Sequence, residues 1–205
     1  MSIVGIVDYG VGNLRSVAGA VERLGHSPQV SGHPEDLTKV AKIILPGVGA
    51  FRSGMNSLEE RGLIPFLKEA VLGRKIPILG ICLGAQLLTR GSEEFGWTDG
   101  LSWIGTDVKS LKNGASRVRV PHVGWNEIKI CGDSNLFKGI SESDLFYFVH
   151  SFGIHVDEES TKATCEYGFE FAAGFEKNNI WGVQFHPEKS QASGLRVLGN
   201  FLDFD

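Results

Sequence analysis

The sequence predicts a three-layer α/β fold, with a mostly parallel central sheet flanked by helices and with antiparallel strands added in the second half. In the first half, short and continuously apolar strands alternate with segments of helical periodicity, which is typical of a parallel sheet covered on both faces. In the second half, runs rich in aromatic and β-branched residues are separated by short polar turns, which indicates antiparallel or mixed strands. One domain over residues 1–205 is the simplest account of this pattern.

The first half reads in chain order as strands joined by helices. The predicted strands are 2–8, 27–32, 42–47 and 76–81, and the predicted helices are 13–25, 63–74 and 84–91. Ligands of such sheets gather beyond the carboxyl ends of the parallel strands. We therefore expect the loop LPGVGAF (45–51) and the turn at Cys82 to lie on the same rim of the sheet.

The second half is predicted to extend that sheet with further strands. They lie within 103–111, 116–130, 144–156, 161–176 and 180–185. The polar run Lys177-Asn178-Asn179 is one of the turns between them. The segment 191–204 has helical periodicity and closes the chain.

Composition limits the classes of function. Hydrophobic residues make up 42% of the 205 residues, charged residues 21%, and the net charge of −4 offers no basic surface for nucleic acid. The three cysteines form no CxxC pair, so neither a disulfide framework nor a thiolate zinc site is expected, and no metal or cofactor is predicted. No signal peptide and no membrane-spanning apolar run is found, which favours a cytoplasmic protein without a membrane partner.

The segment DYGVGNL follows a strand and opens a helix, as a dinucleotide-binding fingerprint would. The third glycine of GxGxxG is missing, however, because Arg15 occupies its position. A tight turn with Asn13 as the helix N-cap is the better interpretation.

Cys82 is the main candidate nucleophile. It lies in GICLG, where a buried strand turns into a helix, with Gly80 and Gly84 two residues to either side. A nucleophile on such a sharp turn projects above the sheet edge in a strained conformation, its neighbours must be small, and the helix N-terminus favours thiolate. The alternative is a buried structural cysteine in a core strand. Cys131 and Cys165 lack a comparable turn.

A cysteine nucleophile needs a base, and His186 is the best candidate. It ends an apolar strand in WGVQFHPEKS, and Glu188, two residues on, points to the same side of an extended segment. The carboxylate can accept a hydrogen bond from one imidazole nitrogen and leave the other free for the thiol proton. A lone His-Pro-Glu could equally be a surface turn. The other histidines are weaker candidates: His26, His33, His122, His150 and His155.

The loop LPGVGAF could supply part of an oxyanion hole. Its glycines let the backbone approach a ligand closely, so the main-chain N–H of Val48 or Gly49 is a candidate donor beside that of Leu83. An ordinary strand-to-helix loop remains the alternative for this segment alone.

Taken together, LPGVGAF, GICLGAQLL, PHVGWN, YFVHSF and GVQFHPEKS resemble the class I (triad) glutamine amidotransferases, whose fold is flavodoxin-like. The similarity runs from Asp8 to Phe201. DYGVGNLRSV, VPHVGWN and HPEKS match, within that family, the glutaminase subunits of imidazole glycerol phosphate synthases, which act in histidine biosynthesis. No single one of these motifs would be specific, whereas the set in this order is.

The resemblance implies a Cys-His-Glu triad that hydrolyses glutamine to glutamate and ammonia through a glutamyl thioester. It implies Cys82 as nucleophile, His186 as the proton carrier and Glu188 as the group that orients it. The residues that it implies for binding the amino-acid part of glutamine are Gln86, Glu94 and the main chain around His150, Ser151 and Phe152.

The resemblance also implies a partner. In the family, ammonia passes to a (β/α)₈-barrel cyclase subunit in a heterodimer, which makes imidazole glycerol phosphate and AICAR, and glutaminase activity depends on that partner. The loop at Gly47-Val48-Gly49 is the expected hinge, since glycines permit a peptide flip. The positions that match the family's interface are Asn13, Arg15, Trp125, Tyr147 and Lys189.

Two alternatives stay open at this point. Ala85 and Phe152 stand where the family usually has methionine and tyrosine, so the chain could serve a homologous barrel that amidates sugars for bacterial surface polysaccharides. A protein of another class, such as a redox sensor, a chaperone or a peptidase-like relative, could also use a reactive cysteine. Such a protein would not need the pair formed by His186 and Glu188, or the residues that bind glutamine.

Overall fold

The computed structural model describes residues 2–113 and 118–204, so residues 114–117, part of which belong to the predicted run 116–130, lie outside the described residues. The strands are β1 (Ile3–Val7), β2 (Ser27–Ser31), β3 (Lys42–Gly47), β4 (Ile78–Cys82), β5 (Gly91–Ser92), β6 (Thr98–Asp99), β7 (Asp107–Ser110), β8 (His122–Glu127), β9 (Lys129–Ile130), β10 (Leu145–His150), β11 (Phe152–His155), β12 (Thr161–Tyr167), β13 (Phe169–Lys177) and β14 (Ile180–Val183). The helices are α1 (Leu14–Arg23), α2 (Phe51–Glu60), α3 (Leu63–Lys68), α4 (Leu83–Leu87) and α5 (Gln191–Asp203).

Twelve strands of the described residues form one mixed sheet. Its first part has the order β2-β1-β3-β4-β14, and every neighbouring pair there is parallel. From β14 the sheet continues through antiparallel pairs to β13, β11 and β7, while β12 and β9 extend it beside β13. The predicted parallel sheet with antiparallel strands added in the second half is confirmed.

Helices cover both faces of the parallel strands. Along β3, Ile44 packs into the core that includes α1 and α5, whereas Ile43 and Leu45 pack into the opposite core, which includes α2 and α3. All three side chains are fully buried. This two-sided burial explains why the strands read as continuous apolar runs, and it produces the predicted three layers.

Three helices differ from the sequence-based expectation. Helix α3 was predicted over 63–74 but ends as an α-helix at Lys68, and Glu69–Gly73 continue it as a π-helix. Helix α2 was not predicted, because Gly54 and several polar residues weaken its apolar period. Gly54 is needed there, since a β-carbon would lie 3.2 Å from the side chains of both Leu83 and Leu87. Helix α4 was predicted over 84–91 but ends at Leu87, where the Thr89 hydroxyl donates to the Gln86 carbonyl at 2.7 Å and the chain turns into β5.

Strands β8 and β10 form a separate two-stranded antiparallel sheet, which corrects the expectation that every second-half strand joins the main sheet. The alternation of β10 explains the difference. Phe146 and Phe148 are fully buried, and their rings pack against Phe185 and Phe171. This two-stranded sheet therefore lies face-on against the main sheet, and its other face points away from the core.

The carboxyl ends of β3, β4 and β14 meet at one rim. Gly47 pairs with Cys82, and Ile81 pairs with Val183, so the loop after β3 and the turn after β4 lie side by side as predicted. The chain continues from β14 through Gln184 to His186 at the same rim. No helix within 2–113 and 118–204 is both long and apolar enough to cross a membrane.

Candidate active site

Cys82 forms the sharp turn between β4 and α4. Its backbone has φ 52° and ψ −110°, a conformation that L-residues rarely adopt and that stores strain. The flanking glycines allow the close approach of the two elements. A β-carbon on Gly80 would lie 2.5 Å from the Ala85 α-carbon, and one on Gly84 would lie 1.7 Å from the Leu45 carbonyl oxygen. These contacts are the crowding that the sequence predicts around the nucleophile.

The candidate base, His186, lies beside the Cys82 thiol. His186 Nδ1–H donates to Glu188 Oε1 at 2.9 Å, and both side chains are almost completely buried. Nε2 of His186 has no hydrogen-bond partner among the described residues, so this second nitrogen is free to exchange a proton with Cys82. The geometry is that of a thiol, an imidazole and a carboxylate in series.

The electrostatics favour a charged His186. Burial favours the neutral ring, but the neighbouring Cys82 and Glu188 outweigh it and raise the pKa of His186 to about 9. A charged imidazole beside a cysteine generally favours the thiolate form of that cysteine. Helix α4 is only five residues long, so its dipole adds less to this effect than the predicted 84–91 helix would.

We expect the His186 ring to titrate near pH 9 and to titrate at lower pH in Glu188→Gln. The favourable ion pair exists below this pKa and is lost as the pH rises through it, and a neutral amide at position 188 removes one of its causes. A fall of about one unit or more is expected, since a buried neighbouring charge shifts a pKa by one to three units. Histidine NMR titration of the whole chain measures it.

The matched control for this titration is Glu159→Gln. Glu159 forms an exposed ion pair with Lys177 at 3.3 Å, away from His186. This control should leave the His186 titration unchanged. An unchanged His186 titration in Glu188→Gln would contradict the assigned role of the carboxylate.

A cavity of about 460 Å³ opens in front of Cys82. Its lining brings together the predicted oxyanion and substrate-binding residues with one predicted interface residue: Val48, Gly49, Cys82, Leu83, Gln86, Glu94, His150, Ser151, Phe152 and Lys189. The side chains of His186 and Glu188 are buried and do not line the cavity. The cavity is large enough for an amino acid of the size of glutamine.

Two polar side chains in the cavity have fixed orientations. Gln86 Nε2 donates to the Phe152 carbonyl at 2.9 Å and to Gln184 Oε1 at 3.0 Å. The side-chain oxygen Oε1 of Gln86 is then available to a ligand. Glu94 Oε2 accepts from the Phe51 backbone N–H at 2.7 Å, and its second oxygen is available. Both acceptors suit the ammonium group of an amino acid.

The two predicted oxyanion segments, Val48-Gly49 and Leu83, line the same cavity as Cys82. Leu83 is the first residue of α4, so its N–H has no acceptor within the helix. Gly49 has φ 106°, which favours glycine, and the Val48 side chain beside it is exposed. The loop after β3 can therefore change its peptide orientation at low cost.

The residues predicted at the interface form two groups near the cavity. Trp125 contacts the Tyr147 ring edge-on with centroids 5.8 Å apart, and Lys189 Nζ lies 5.8 Å from the centre of the same ring. Asn13 accepts a hydrogen bond from the Ser16 N–H at the start of α1, and Arg15 is exposed on that helix. Helix α1 packs against the Pro187–Lys189 turn, so both groups flank the same rim.

Sequence reasoning missed three buried residues beside the site. Gln184 Nε2 lies 3.7 Å from Cys82 Sγ. His122, which the sequence left open as a core or surface residue, is buried and contacts His150 with Nδ1 and Nε2 3.1 Å apart. The Tyr9 hydroxyl has no partner among the described residues, and burial, followed by the neighbouring Cys82, raises the pKa of Tyr9. Of these three residues, Gln184 could have been found from its two-residue spacing from His186.

No group of three or more His, Cys, Asp or Glu side chains in the described part of the chain is arranged to hold a metal ion.

Known proteins are similar to this chain over nearly its whole length. The model of the family "Glutamine amidotransferase class-I" matches residues 5–203. The imidazole glycerol phosphate synthase subunit HisH of Moorella thermoacetica is 46% identical over 202 residues, which cover 98% of this chain and 94% of that protein. The subunit HisH of Methanosarcina barkeri is 48% identical over 206 residues, which cover 99% of each.

Solved structures share the fold. PurLQS from Thermotoga maritima has a TM-score of 0.74 at 22% identity, covering 99% of each chain. The "putative gmp synthase subunit a protein" of Thermoplasma acidophilum has a TM-score of 0.73 at 19% identity, covering 98% of this chain and 92% of that one. With the family model spanning nearly the whole chain and relatives close to half identical, the chain belongs to the class-I glutamine amidotransferase family.

Proposed function

We propose that this chain is the glutaminase subunit of an imidazole glycerol phosphate synthase, with Cys82, His186 and Glu188 as its catalytic triad. The observation that carries the proposal is the arrangement at the rim. A strained cysteine, a carboxylate-bound histidine and an amino-acid-sized cavity meet at the ends of β4 and β14. The relatives that carry the name of this subunit cover nearly all of the chain.

Glutamine would bind with its α-ammonium between Gln86 and Glu94 and with its side-chain amide at Cys82. The Cys82 thiolate attacks the amide carbon, and the C–N bond breaks as His186 gives its proton to the departing ammonia. Water then adds to the glutamyl thioester while His186 takes a proton from it. Collapse of this second intermediate breaks the C–S bond, releases glutamate and restores the thiolate.

The oxyanion formed in both steps needs donors on one side of the sulfur. The Leu83 N–H is already there as the free first N–H of α4. A main-chain N–H at Val48 or Gly49 would supply the second donor when the loop after β3 turns its peptide inward. Removing a single oxyanion donor typically costs about 10²- to 10³-fold in turnover, so the position of this loop can switch activity.

A (β/α)₈-barrel synthase subunit is the proposed acceptor of the ammonia. The outer face of the two-stranded β8–β10 sheet supports a docking surface for this subunit, because Trp125, Val123 and Leu145 are each between 44% and 56% exposed. Val149, on the same sheet, reaches the cavity lining. An exposed apolar face that continues into the mouth of an active site is typical of a subunit interface.

The pathway follows from the same reasoning. We assign the chain to histidine biosynthesis in the cytoplasm, as one amidotransferase domain over residues 1–205, with a synthase that makes imidazole glycerol phosphate and AICAR. The alternative role in surface-polysaccharide sugar amidination is not favoured, because the relatives above carry the imidazole glycerol phosphate synthase name.

Glutaminase assays with and without the barrel subunit test the proposal. We expect the isolated chain to be a poor glutaminase and the complex to turn over glutamine about 10²- to 10³-fold faster, the effect of one oxyanion donor. Ammonium salts should replace glutamine in supporting the synthase reaction of the complex. Equal turnover alone and in complex would exclude control by the partner, and no glutamine hydrolysis in either state would exclude the function.

A further inference from the structure

A continuous chain of hydrogen bonds connects the substrate cavity to the reacting sulfur. It starts at the Phe152 carbonyl, which accepts from Gln86 Nε2 at 2.9 Å. The same Nε2 donates to Gln184 Oε1 at 3.0 Å, and Gln184 Nε2 lies 3.7 Å from Cys82 Sγ. Gln184 is completely buried and Gln86 nearly so, which makes both side chains part of the site rather than of the surface.

The donors and acceptors of this chain can be assigned without ambiguity. A backbone carbonyl can only accept, so Gln86 must turn its NH₂ group towards Phe152. The second N–H of that group meets Gln184, which must therefore present its carbonyl oxygen. The Gln184 NH₂ group is then left facing Cys82. Reversing either amide would place two acceptors or two donors against each other in a buried site, which is costly.

A pair of buried histidines fixes the Phe152 carbonyl, where the hydrogen-bond chain starts. His150 Nδ1 lies 2.8 Å from the Phe152 carbonyl, so this nitrogen carries the proton and donates. Nε2 of His150 must then accept from Nδ1–H of His122, 3.1 Å away. Burial lowers the pKa of His150 to about 3 and that of His122 to about 4, so both rings are neutral at physiological pH. The Phe152 carbonyl is thus held by two donors at once.

We propose that Gln184 is a hydrogen-bond donor to the Cys82 sulfur, and that Gln86 keeps the Gln184 amide in the donating orientation. The N–H group stabilises the thiolate and holds the sulfur between His186 and the cavity. Gln86 then has two tasks, because it binds substrate with its oxygen and orients Gln184 with its nitrogen. This inference deepens the proposed function and rests on it for the role of the thiolate.

The test measures the thiolate directly, without glutamine. The full-length chain is alkylated with iodoacetamide between pH 5 and pH 10, and modification of the Cys82 peptide is followed by mass spectrometry. In Gln184→Met we expect the midpoint of the Cys82 pH profile to rise by about one to two pH units, since a donor to a charged acceptor is lost. Gln86→Leu should raise it by a smaller amount, because the Gln184 amide becomes free to turn.

Three controls make the result decisive. Gln29→Met, a matched substitution on β2 away from the cavity, should leave the midpoint unchanged. Modification of Cys131 in the same samples reports general changes in reagent or fold, since Cys131 is partly exposed. Circular dichroism checks folding, and if Gln184→Met does not fold, the midpoint in Gln86→Leu decides.

An unchanged midpoint in a folded Gln184→Met, or in Gln86→Leu when that variant decides, would overturn the proposal. An equal rise in the Cys131 profile would overturn it as well. The proposed function fails in a different way, through absent glutamine hydrolysis by the wild-type complex. A raised Cys82 midpoint together with an inactive complex would therefore retain the hydrogen bond and reject the glutaminase assignment.

Discussion

Replacing Cys82 with alanine is expected to abolish glutamine hydrolysis while leaving the fold and partner binding intact. No other thiol among the described residues lies in the cavity, so the thioester cannot form. A loss of about 10⁴-fold or more is expected, as for removal of other covalent nucleophiles. The change removes one sulfur atom from a turn, and the side chains that form the proposed partner surface are untouched.

Two measurements on the complex distinguish lost chemistry from lost structure. Release of glutamate should fall to background, whereas synthase activity supplied with ammonium should remain. Cys131→Ala is the matched control, because that sulfur contacts Lys129 and Thr164 rather than the site, and it should keep full glutaminase activity. Substantial glutamine hydrolysis by Cys82→Ala would overturn the assignment of the nucleophile.

The parallel half of the fold was predictable because its signals are local. Strand β3 is buried on both faces, so it reads as an unbroken apolar run that ends in Pro-Gly. Helix α1 has its N-cap at Asn13 and its left-handed Gly25 just beyond its end, as its sequence predicts. The parallel pairing of β3 with β4 then places Gly47 beside Cys82. The motifs LPGVGAF and GICLG, which are distant in the sequence, could therefore be predicted to lie on the same rim of the sheet.

The pairing of β8 with β10 as a separate sheet was not predictable, because the position of these strands depends on tertiary packing. Residue alternation shows that one face of β10 is buried, but it does not show whether the strand joins a sheet by its edge or packs on it by its face. Here Phe146 and Phe148 meet rings from the main sheet and from the segment after β14.

The proposed triad and the hydrogen-bond chain also differ in how far apart their residues lie in the sequence. His186 and Glu188 are two residues apart at the end of a strand, so local geometry relates them. Gln86 and Gln184 are 98 residues apart, and only the parallel pairing of β4 with β14 brings their side chains into contact. Gln184 was missed because its signal in the sequence is only its two-residue spacing from His186, and that spacing does not relate it to Gln86.

Replacing Gly84 with alanine is expected to be the most damaging single-methyl change at the site. The added β-carbon would lie 1.7 Å from the Leu45 carbonyl oxygen and 2.7 Å from its carbonyl carbon. Both are backbone atoms of β3, so no side-chain rotation relieves the clash. We expect the free energy of unfolding to fall by about 3 kcal/mol or more, as for severe overpacking, and urea denaturation measures it.

The matched substitution Gly19→Ala should act in the opposite direction. Gly19 lies in the middle of α1, is exposed, and has no atom within 4 Å of an added β-carbon. Alanine there should increase the free energy of unfolding by about 0.5–1 kcal/mol, because it restricts the unfolded chain and favours the helix. Wild-type stability of Gly84→Ala would contradict the close packing of α4 on β3.

The activity of Gly84→Ala separates packing from catalysis. Helix α4 carries both the Leu83 N–H and the Gln86 side chain, so pushing it away from β3 moves the proposed oxyanion donor and the proposed substrate-binding side chain together. Displacements of about 1 Å cost roughly 10²-fold in turnover. We therefore expect glutaminase activity of the folded fraction to fall by about that factor, whereas ammonium-dependent synthase activity in the complex should be retained.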